Sequence, residues 1–197
     1  MIWKRAEDIF IMVVGHLVLL PIWIVVWITI PLAILIFDGR PLFYRQYRIG
    51  KDRKEFAVRK FRTMVVDADS IGPARTAAGD QRITRFGRLL RKTALDELPQ
   101  VLSIWSGDMS LVGPRALSAD EHRDLEQQIE GFEKRLAVRP GLTGLSQVYN
   151  RDDDPQLKLE LDLEYIEKVS LWLDTKLVLL SIRNTVLGSW DSRGDGS

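Results

Sequence analysis

One long uncharged stretch constrains the fold of this chain more than any other feature. From Ile9 to Phe37 the sequence contains no Asp, Glu, Lys or Arg. A continuous helix over this stretch would be about 43 Å long, whereas the hydrocarbon core of a bilayer is about 30 Å thick. Pro21 lies near the centre and Pro31 near the end, and an interior proline removes a backbone donor and kinks a helix. We therefore expect a membrane segment that is bent at Pro21.

The charges that flank this stretch bear on its topology. Lys4 and Arg5 precede it, and three arginines follow it between positions 40 and 48. Because basic residues are retained in the cytoplasm, both ends are drawn to the same face of the membrane. A helix that enters one leaflet and turns back at Pro21 satisfies both ends. A tilted transmembrane anchor is the competing interpretation, since prolines also occur in spanning helices.

A basic block follows the apolar stretch directly. Residues 40–62 contain nine Lys or Arg and two acids, which favours a membrane surface, anionic lipid or phosphate as the partner rather than nucleic acid. Two short strands are predicted in this block, at 41–47 and 55–64, around a turn-like cluster at 49–52. The chain has no cysteine, which excludes disulfides and thiolate metal sites.

The stretch from Thr93 to Gln100 carries two adjacent carboxylates, Asp96 and Glu97. We predict that a helix begins here, with Asp96 or Thr93 as its cap. Apolar residues at helical spacing would form its buried face, namely Leu98, Val101, Leu102 and Trp105.

An amphipathic basic helix is predicted just before the acids, from about residue 82 to residue 92, with Asp80 as its cap. Its arginines recur at steps of three, at Arg82, Arg85, Arg88 and Arg91. This pattern is typical of a segment in a membrane interface, and a surface helix on a soluble core is the alternative.

Two interpretations of the acid pair remain open on these residues alone. In the structural one, the carboxylates balance a helix dipole and the neighbouring basic face. In the functional one, they stay ionised beside the arginines and help to hold a divalent cation. The sequence has neither a P-loop nor a Gly-x-Ser-x-Gly elbow, and its two histidines, His16 and His122, do not suggest a shared site. Any enzyme chemistry would therefore rest on acids, arginines and a possible metal, which indicates phosphoryl transfer.

Three more helices are predicted downstream, at 118–134, 155–168 and 171–187. The last is apolar around most of its circumference, so it should pack against the anchor or lie partly in the membrane interface. Residues 67–81 are interpreted as a mobile loop and residues 189–197 as a disordered tail.

Five short blocks give the sequence a strong resemblance to a known family. In chain order they are Lys60–Met64, Arg85–Arg91, Leu95–Gln100, Gly107–Arg115 and Val138–Gly144. Together they resemble the monotopic phosphoglycosyl transferases, the bacterial sugar transferase family, in its small single-domain form. The resemblance extends from the apolar segment to about Leu187, and five blocks in family order are far more specific than any one alone.

The resemblance implies a membrane enzyme that transfers a sugar 1-phosphate from a nucleoside diphosphate sugar, usually a UDP-sugar, to polyprenol (undecaprenyl) phosphate. It maps the nucleophile onto Asp96 and its neighbour in a Mg²⁺-dependent site onto Glu97, so both acids are expected at the metal. It also maps family arginines onto Arg91, Arg115 and Arg139.

Lys60 and Arg62 are further candidates to bind substrate phosphate. A carboxylate that approaches a diphosphate meets like charge, so basic side chains must screen it.

The resemblance also decides the expected fold. The broken re-entrant helix of the family maps onto the apolar segment with its kink at Pro21, which favours the hairpin over the span. We expect an α+β, mainly α protein with a re-entrant helix at 1–38, a small β-hairpin and amphipathic interfacial helices in a cytoplasmic catalytic domain at 39–188. Its implied place is the cytoplasmic face of the bacterial inner membrane, in contact with one leaflet, and no nucleic-acid partner is expected.

Two other functions are compatible with the same residues. A non-catalytic membrane adapter would bind anionic lipid through 40–62 and 82–92 and would not need Asp96. A membrane phosphatase would use the same aspartyl chemistry with water as the acceptor.

Overall fold

The computed structural model describes residues 2–72, 79–150 and 152–187. Helices dominate this part of the chain, as the prediction of a mainly α protein requires. The α-helices are α1 (Ile2–Val18), α2 (Leu20–Phe37), α3 (Ala68–Ile71), α4 (Arg85–Lys92), α5 (Val101–Ser106), α6 (Ala119–Gln128), α7 (Leu145–Tyr149), α8 (Pro155–Lys168) and α9 (Leu171–Leu187). Short 3₁₀ helices cover Lys51–Arg53, Leu95–Gln100 and Phe132–Ala137.

Four strands form two small sheets. Strands β1 (Phe43–Ile49) and β2 (Glu55–Phe61) pair as the predicted hairpin, with the 3₁₀ turn between them. The predicted strand bounds, 41–47 and 55–64, were wrong by two or three residues at three of the four ends. Strands β3 (Ser110–Val112) and β4 (Gly141–Thr143) are parallel, with Ser110 opposite Gly141.

The chain packs as two compact units that interleave along the sequence. The first unit comprises Met1–Met12, Arg45–Val58 and Gln100–Arg183, and the second comprises Val13–Tyr44, Arg59–Pro99 and Asn184–Ser197. The division of the chain at residue 38 stays a prediction, and the predicted tail at 189–197 lies outside the described residues.

In the second unit, the C-terminal half of α2 forms the core. Ile30 and Ile34 are buried against Phe61 from the end of β2 and Leu90 from α4. By length and composition α2 is able to cross a membrane, and only 11% of it is buried. The packed half of this helix therefore holds the strand and α4, while most of its apolar surface stays exposed.

The predicted break in the apolar segment is present near Pro21. Helix α1 ends at Val18 and α2 begins at Leu20, so the break falls at Leu19 and Pro21 lies in the first turn of α2. A proline fits there because the first amides of a helix have no intrahelical partner. Across the break, the rings of His16 and Trp23 stack at 4.5 Å.

Helix α4 begins later than predicted, at Arg85 instead of residue 82, and Asp80 does not cap it. Thr84 is the cap, because its side chain accepts a hydrogen bond from the backbone amide of Gly87 at 2.8 Å. Asp80 instead pairs with Arg82, whose hydrogen bonds hold the pKa of that carboxyl at about 2. The Asp80 carboxylate, which the sequence pattern predicted as the helix cap, thus forms a local ion pair with Arg82.

Gly87 allows α4 to lie directly on the backbone that follows β2. A Cβ atom at this position would stand 2.1 Å from the carbonyl oxygen of Thr63. Since real contacts never approach so closely, any side chain here must move the helix or the strand.

We expect Gly87→Ala to destabilise the protein by about 3 kcal/mol, because the added methyl group overpacks a backbone contact. Gly15→Ala is the matched control, since Gly15 is also helical but has nothing within 4 Å of its Cβ position. Thermal unfolding of both variants in detergent tests this. An equal effect of the two substitutions would contradict the role of the close contact.

The first unit contains two apolar clusters, and buried polar bonds lie within one of them. One cluster gathers Val112, Tyr165 and Leu177, and the other gathers Leu125, Phe132 and Leu159. The Tyr165 hydroxyl lies 2.8 Å from Asp174 and 3.0 Å from the Val112 carbonyl oxygen. Burial and the neighbouring Asp174 carboxylate raise the pKa of Tyr165 far above its usual range, so the phenol stays protonated.

The predicted helices at 155–168 and 171–187 are confirmed with the same bounds as α8 and α9. The predicted continuous helix at 118–134 was wrong. Helix α6 ends at Gln128, and a separate 3₁₀ helix begins at Phe132 after Gly131, whose φ is +79°. Helix α6 ends because Ile129 adopts an extended conformation, and the left-handed Gly131 then leads into the 3₁₀ helix, a conformation that glycine adopts readily because it lacks a Cβ atom.

The N-terminal turns of α1 belong to the first unit and are bound to it by buried charges. Lys4 pairs with Asp8 at 3.2 Å and with Asp174 at 2.7 Å. Asp8 also accepts hydrogen bonds from the Ser110 hydroxyl and the Leu111 amide. These contacts fasten the start of the chain to the strand and helix that form the core of the unit.

Glu7 adds a third buried carboxyl to this cluster. Burial, together with the carboxylates of Asp174 and Asp8, raises the pKa of Glu7 to about 7, although Lys4 opposes the shift. A group with a raised native pKa stabilises the fold below its unfolded pKa and loses this contribution as the pH rises through its native pKa.

We therefore expect wild-type protein to lose stability between about pH 5 and pH 8, by at most about 3 kcal/mol for a shift of this size. In Glu7→Gln this loss should be absent, because the amide does not ionise. Melting temperatures of both proteins across this pH range measure the difference. Parallel pH profiles would show that Glu7 does not titrate in this window.

Candidate active site

The acid pair lies on a 3₁₀ turn and not, as predicted, at the mouth of an α-helix. Thr93 does not cap a downstream helix but ends α4, since its hydroxyl donates to two carbonyl oxygens of that helix at 3.0 and 3.1 Å. Ala94 then adopts a left-handed conformation, with φ +54°. The reversal places Asp96 and Glu97 in the turn Leu95–Gln100, and α5 starts only after it.

The predicted buried face of this segment was only partly right. Val101 is buried, but Leu102 and Trp105 are 46% and 41% exposed, and Ile104 is buried in their place. Helix α5 begins at Val101 and is six residues long. Its buried apolar face therefore consists of Val101 and Ile104, which are three residues apart.

Glu97 forms an ion pair with Lys60 on β2. The Lys60 Nζ atom lies 2.6 Å from Oε1 of Glu97, and both side chains are mostly buried. Asp96 is only 6% exposed. The structure therefore joins three predicted site residues in the second unit, with one acid paired to a lysine and the other held beside it.

Arg91 belongs to the same unit and faces the end of β2. Its Nε atom donates to the hydroxyl of Thr63 at 2.9 Å, and the Ala94 amide donates to the carbonyl oxygen of Arg91 at 3.1 Å. Arg91 thus connects α4 both to the strand and to the turn that carries the acids.

Arg62, a predicted phosphate ligand, binds backbone carbonyl groups in the structure. It is 5% exposed, and its Nη nitrogens donate to the carbonyl oxygens of Arg40 at 2.6 Å, of Gly39 at 2.8 Å and of Asp38. These carbonyls follow the last turn of α2, so the guanidinium binds the end of that helix. A contact of Arg62 with phosphate stays a prediction.

Arg115 and Arg139 belong to the first unit, where adjacent backbone segments carry them. Arg115 forms a parallel bridge with Gly141, the first residue of β4, and the Gly141 amide donates to the Pro114 carbonyl oxygen at 2.9 Å. A Cβ atom on Gly113 would stand 2.4 Å from the carbonyl oxygen of Arg139. The two arginine-bearing loops therefore approach so closely that glycine is required between them.

A buried ion pair supports the Arg115 loop. Arg135 donates through Nε to Asp162 at 2.8 Å and through Nη2 to the Arg115 carbonyl oxygen at 2.8 Å. Asp162 also accepts from the Ser146 hydroxyl at 2.7 Å. Sequence reasoning missed this pair, because residues 135 and 162 show no pattern that links them; only their positions near the Val138–Gly144 block and on α8 gave a hint.

The acid pair provides two carboxylate ligands for a metal ion. Among the described residues, no group of three or more His, Cys, Asp or Glu is placed to hold a metal ion. Asp96 and Glu97 offer hard oxygen ligands, and Mg²⁺ is commonly bound by one or two carboxylates together with substrate phosphates. The acid pair therefore fits a Mg²⁺ ion that is completed by a substrate, and not a metal held by the protein alone.

Neither histidine enters a catalytic cluster. His16 lies at the helix break, and His122 is buried against Phe132 in the first unit, with ring centroids 5.4 Å apart. Burial lowers the pKa of His122, which keeps its ring neutral. The two histidines lie in different units, as expected from a sequence that did not suggest a shared site for them.

The structure thus shows an acid pair on a buried turn, with Lys60 bound to Glu97 and Arg91 on the neighbouring helix. Residues 1–188 match the bacterial sugar transferase family, so the chain belongs to that family. The match includes all seven predicted active-site residues.

Named relatives agree with this assignment. The chain is 37% identical over 185 residues to the UDP-glucose:undecaprenyl-phosphate glucose-1-phosphate transferase of Escherichia coli K12, covering 91% of this chain and 39% of the relative. It is 35% identical over 189 residues to the UDP-N-acetylgalactosamine-undecaprenyl-phosphate N-acetylgalactosaminephosphotransferase of Aeromonas hydrophila, covering 94% and 44%. Against the sugar transferase EpsL of Bacillus subtilis it is 40% identical over 150 residues, covering 76% and 72%. The chain thus spans less than half the length of the first two relatives.

Proposed function

We propose that this chain is a phosphoglycosyl transferase that moves a sugar 1-phosphate from a nucleoside diphosphate sugar, a UDP-sugar in the first instance, to polyprenol phosphate. The observation that carries the proposal is the acid pair, in which Lys60 binds Glu97 at 2.6 Å beside a nearly buried Asp96. The names of two relatives, which specify UDP-sugars and undecaprenyl phosphate, support the choice of substrates.

The reaction proceeds by two displacements at phosphorus. In the first, a carboxylate oxygen of Asp96 attacks the sugar-bearing phosphorus, the phosphoanhydride bond breaks, and a nucleoside monophosphate leaves with the bonding electrons. In the second, a phosphate oxygen of polyprenol phosphate attacks the same phosphorus, and the bond to Asp96 breaks. The carboxylate is regenerated and the product is a polyprenol diphosphosugar, so each step exchanges one P–O bond for another.

Basic side chains make the first attack feasible. A carboxylate and a diphosphate repel one another, and Lys60 removes part of this repulsion by compensating the charge of the adjacent Glu97. Arg91, Arg115 and Arg139 are proposed to bind the phosphate oxygens, for which a guanidinium provides paired donors. Mg²⁺, held by Asp96 and Glu97, would supply further positive charge to the diphosphate.

The attachment of α1 supports a re-entrant membrane segment. The first unit contains residues from both sides of the apolar stretch, Met1–Met12 before it and Arg45–Val58 after it. The buried pairs of Lys4 with Asp8 and Asp174 fix the start of α1 in that unit. If both flanks fold into one polar body, the segment between them must enter and leave the membrane at the same face, and the helix break at Leu19 permits the turn.

Helix α9 offers a second membrane contact. Its inward side packs through Leu177, whereas an exposed apolar side carries Trp172, Leu179 and Val186 together with Lys176 and Arg183. Apolar side chains with flanking cations are suited to the boundary between acyl chains and anionic headgroups. We therefore place the protein on the cytoplasmic face of the bacterial inner membrane, where a soluble donor meets a lipid acceptor, at the first membrane step of a glycoconjugate pathway.

We expect Asp96→Asn to lower turnover with UDP-sugar and undecaprenyl phosphate by about 10⁴-fold or more, because the amide is not a competent nucleophile. Asp120→Asn, which changes an exposed aspartate on α6, is the control and should retain activity. Release of nucleoside monophosphate measures turnover. Undiminished turnover of Asp96→Asn would exclude Asp96 as the nucleophile.

The same protein allows a direct test of the covalent step. Wild-type protein incubated with donor and Mg²⁺, but without lipid acceptor, should gain the mass of one sugar phosphate, and Asp96→Asn should not. Product formation on later addition of lipid, without any prior gain of mass, would contradict the aspartyl intermediate. Continuous release of free sugar phosphate without acceptor would indicate a phosphatase.

Single cysteines report the topology, because the chain has no native cysteine. We expect cysteines at Trp3 and at Arg40 both to react with an impermeant reagent from the cytoplasmic side, while a cysteine at Leu19 is shielded from both sides. Labelling of inverted and right-side-out vesicles provides the measurement. Reaction of the first two positions from opposite sides would show a transmembrane span.

A further inference from the structure

Four consecutive residues at the end of β2 contact four different partners in the second unit. Lys60 pairs with Glu97, Phe61 packs against Ile30, Ile34 and Leu90, Arg62 binds the end of α2, and Thr63 accepts from Arg91. This Lys60–Thr63 run therefore connects the membrane helix, the basic helix α4 and the acid pair.

The side chain of Arg62 binds backbone carbonyl oxygens at the end of α2. The carbonyl groups just after Phe37, the last residue of α2, receive no intrahelical bond, and they lie at the negative end of the helix dipole. The Arg62 guanidinium satisfies three consecutive carbonyls, those of Asp38, Gly39 and Arg40. A lysine has one nitrogen at the tip of its side chain and cannot span three carbonyls in this way.

The position of the strand end depends on this contact. The Arg62 amide also donates to the Leu42 carbonyl oxygen at 2.9 Å, so main chain and side chain bind the same segment after α2. Thr84, the cap of α4, reaches that segment as well, since its hydroxyl donates to the Asp38 carboxylate at 2.9 Å. The end of α2 is thus the common attachment point of β2 and α4.

Lys60 lies two residues before Arg62, on the same side of an extended chain. Displacement of Arg62 from the α2 carbonyls would move the strand end and, with it, the ammonium group that holds Glu97. Small displacements matter at a reacting centre, since an error of about 1 Å can lower a rate by about 100-fold.

We propose that Arg62 is a positioning residue and not a phosphate ligand: by fixing the end of the membrane helix to β2, it sets the placement of Lys60 against Glu97. This inference rests on the proposed function for its catalytic consequence. Its structural consequence, the order of the acidic turn, does not depend on the reaction.

The test uses full-length protein in nanodiscs with four substitutions: Arg62→Lys, Lys60→Met, the double variant, and Arg59→Met as the matched control. Arg59 is an exposed arginine on the same strand. Arg62→Lys keeps the positive charge but loses the fork. Melting temperatures show whether each variant is folded. If Arg62→Lys is globally unfolded, Arg62→Gln replaces it.

We expect hydrogen exchange of residues 94–98 to be about 10-fold faster in Arg62→Lys than in wild type, and unchanged in Arg59→Met. In the Lys60→Met background, Arg62→Lys should add little, because the connection to Glu97 is already lost. Turnover should follow the same pattern: kcat falls about 10- to 100-fold in Arg62→Lys, KM for the donor stays within about twofold, and the double variant resembles Lys60→Met.

Two results would overturn the inference. If hydrogen exchange of residues 94–98 is unchanged in Arg62→Lys, the contact of Arg62 with the α2 carbonyls does not affect the order of the turn that carries the acids. A raised KM for the donor, with losses that multiply in the double variant, would show that Arg62 binds phosphate itself. Failure of wild-type protein to transfer sugar phosphate would reject the proposed function, while the exchange data would still decide the role of Arg62.

Discussion

The pairing of Lys60 with Glu97 is the interaction on which the second unit depends. Two adjacent carboxylates on one buried turn repel each other, and each loses hydration when it is covered. A lysine from the neighbouring strand compensates one of these charges, so the turn can be buried with Asp96 still beside its partner. Because Lys60 is followed directly by Phe61 and Arg62, the electrostatic requirement of the acid pair and the packing of the apolar helix α2 are met by one short segment.

A second theme is the use of arginine on backbone carbonyl groups. Arg5 donates to the carbonyl oxygens of Ile104 and Trp105 at the end of α5, Arg62 binds those after α2, and Arg135 binds that of Arg115. In a chain with many arginines and a proposed phosphate chemistry, each arginine could be assigned to phosphate from the sequence alone. In the structure all three donate to backbone carbonyl groups, so part of the basic composition serves the fold.

Sequence patterns predicted the parts of the fold that depend on neighbouring residues. The bounds of α8 and α9 follow from Pro155 at the first position of a helix and from regular apolar spacing, and the helix break follows from the missing amide of Pro21. Patterns failed where an ion pair, a backbone conformation or a distant contact that the spacing of residues does not signal decided the outcome. Asp80 pairs with Arg82 and does not cap α4, and the left-handed Ala94 reverses the chain before the acids. Arg62 donates to carbonyl oxygens that lie 22 to 24 residues earlier. The site was predicted as a set of residues, and the contacts that each of them makes within the fold became visible only in the structure.

The close approach of Gly113, Gly141 and Gly144 has a consequence for the engineering of this protein. Cβ atoms at these positions would stand between 2.1 and 2.4 Å from neighbouring backbone atoms, so main-chain contacts alone set the separation of the two loops. Arg115 and Arg139 take part in that contact through their backbone atoms. A library that varies exposed side chains on these loops while keeping the three glycines should therefore preserve the main-chain contact that fixes both arginines.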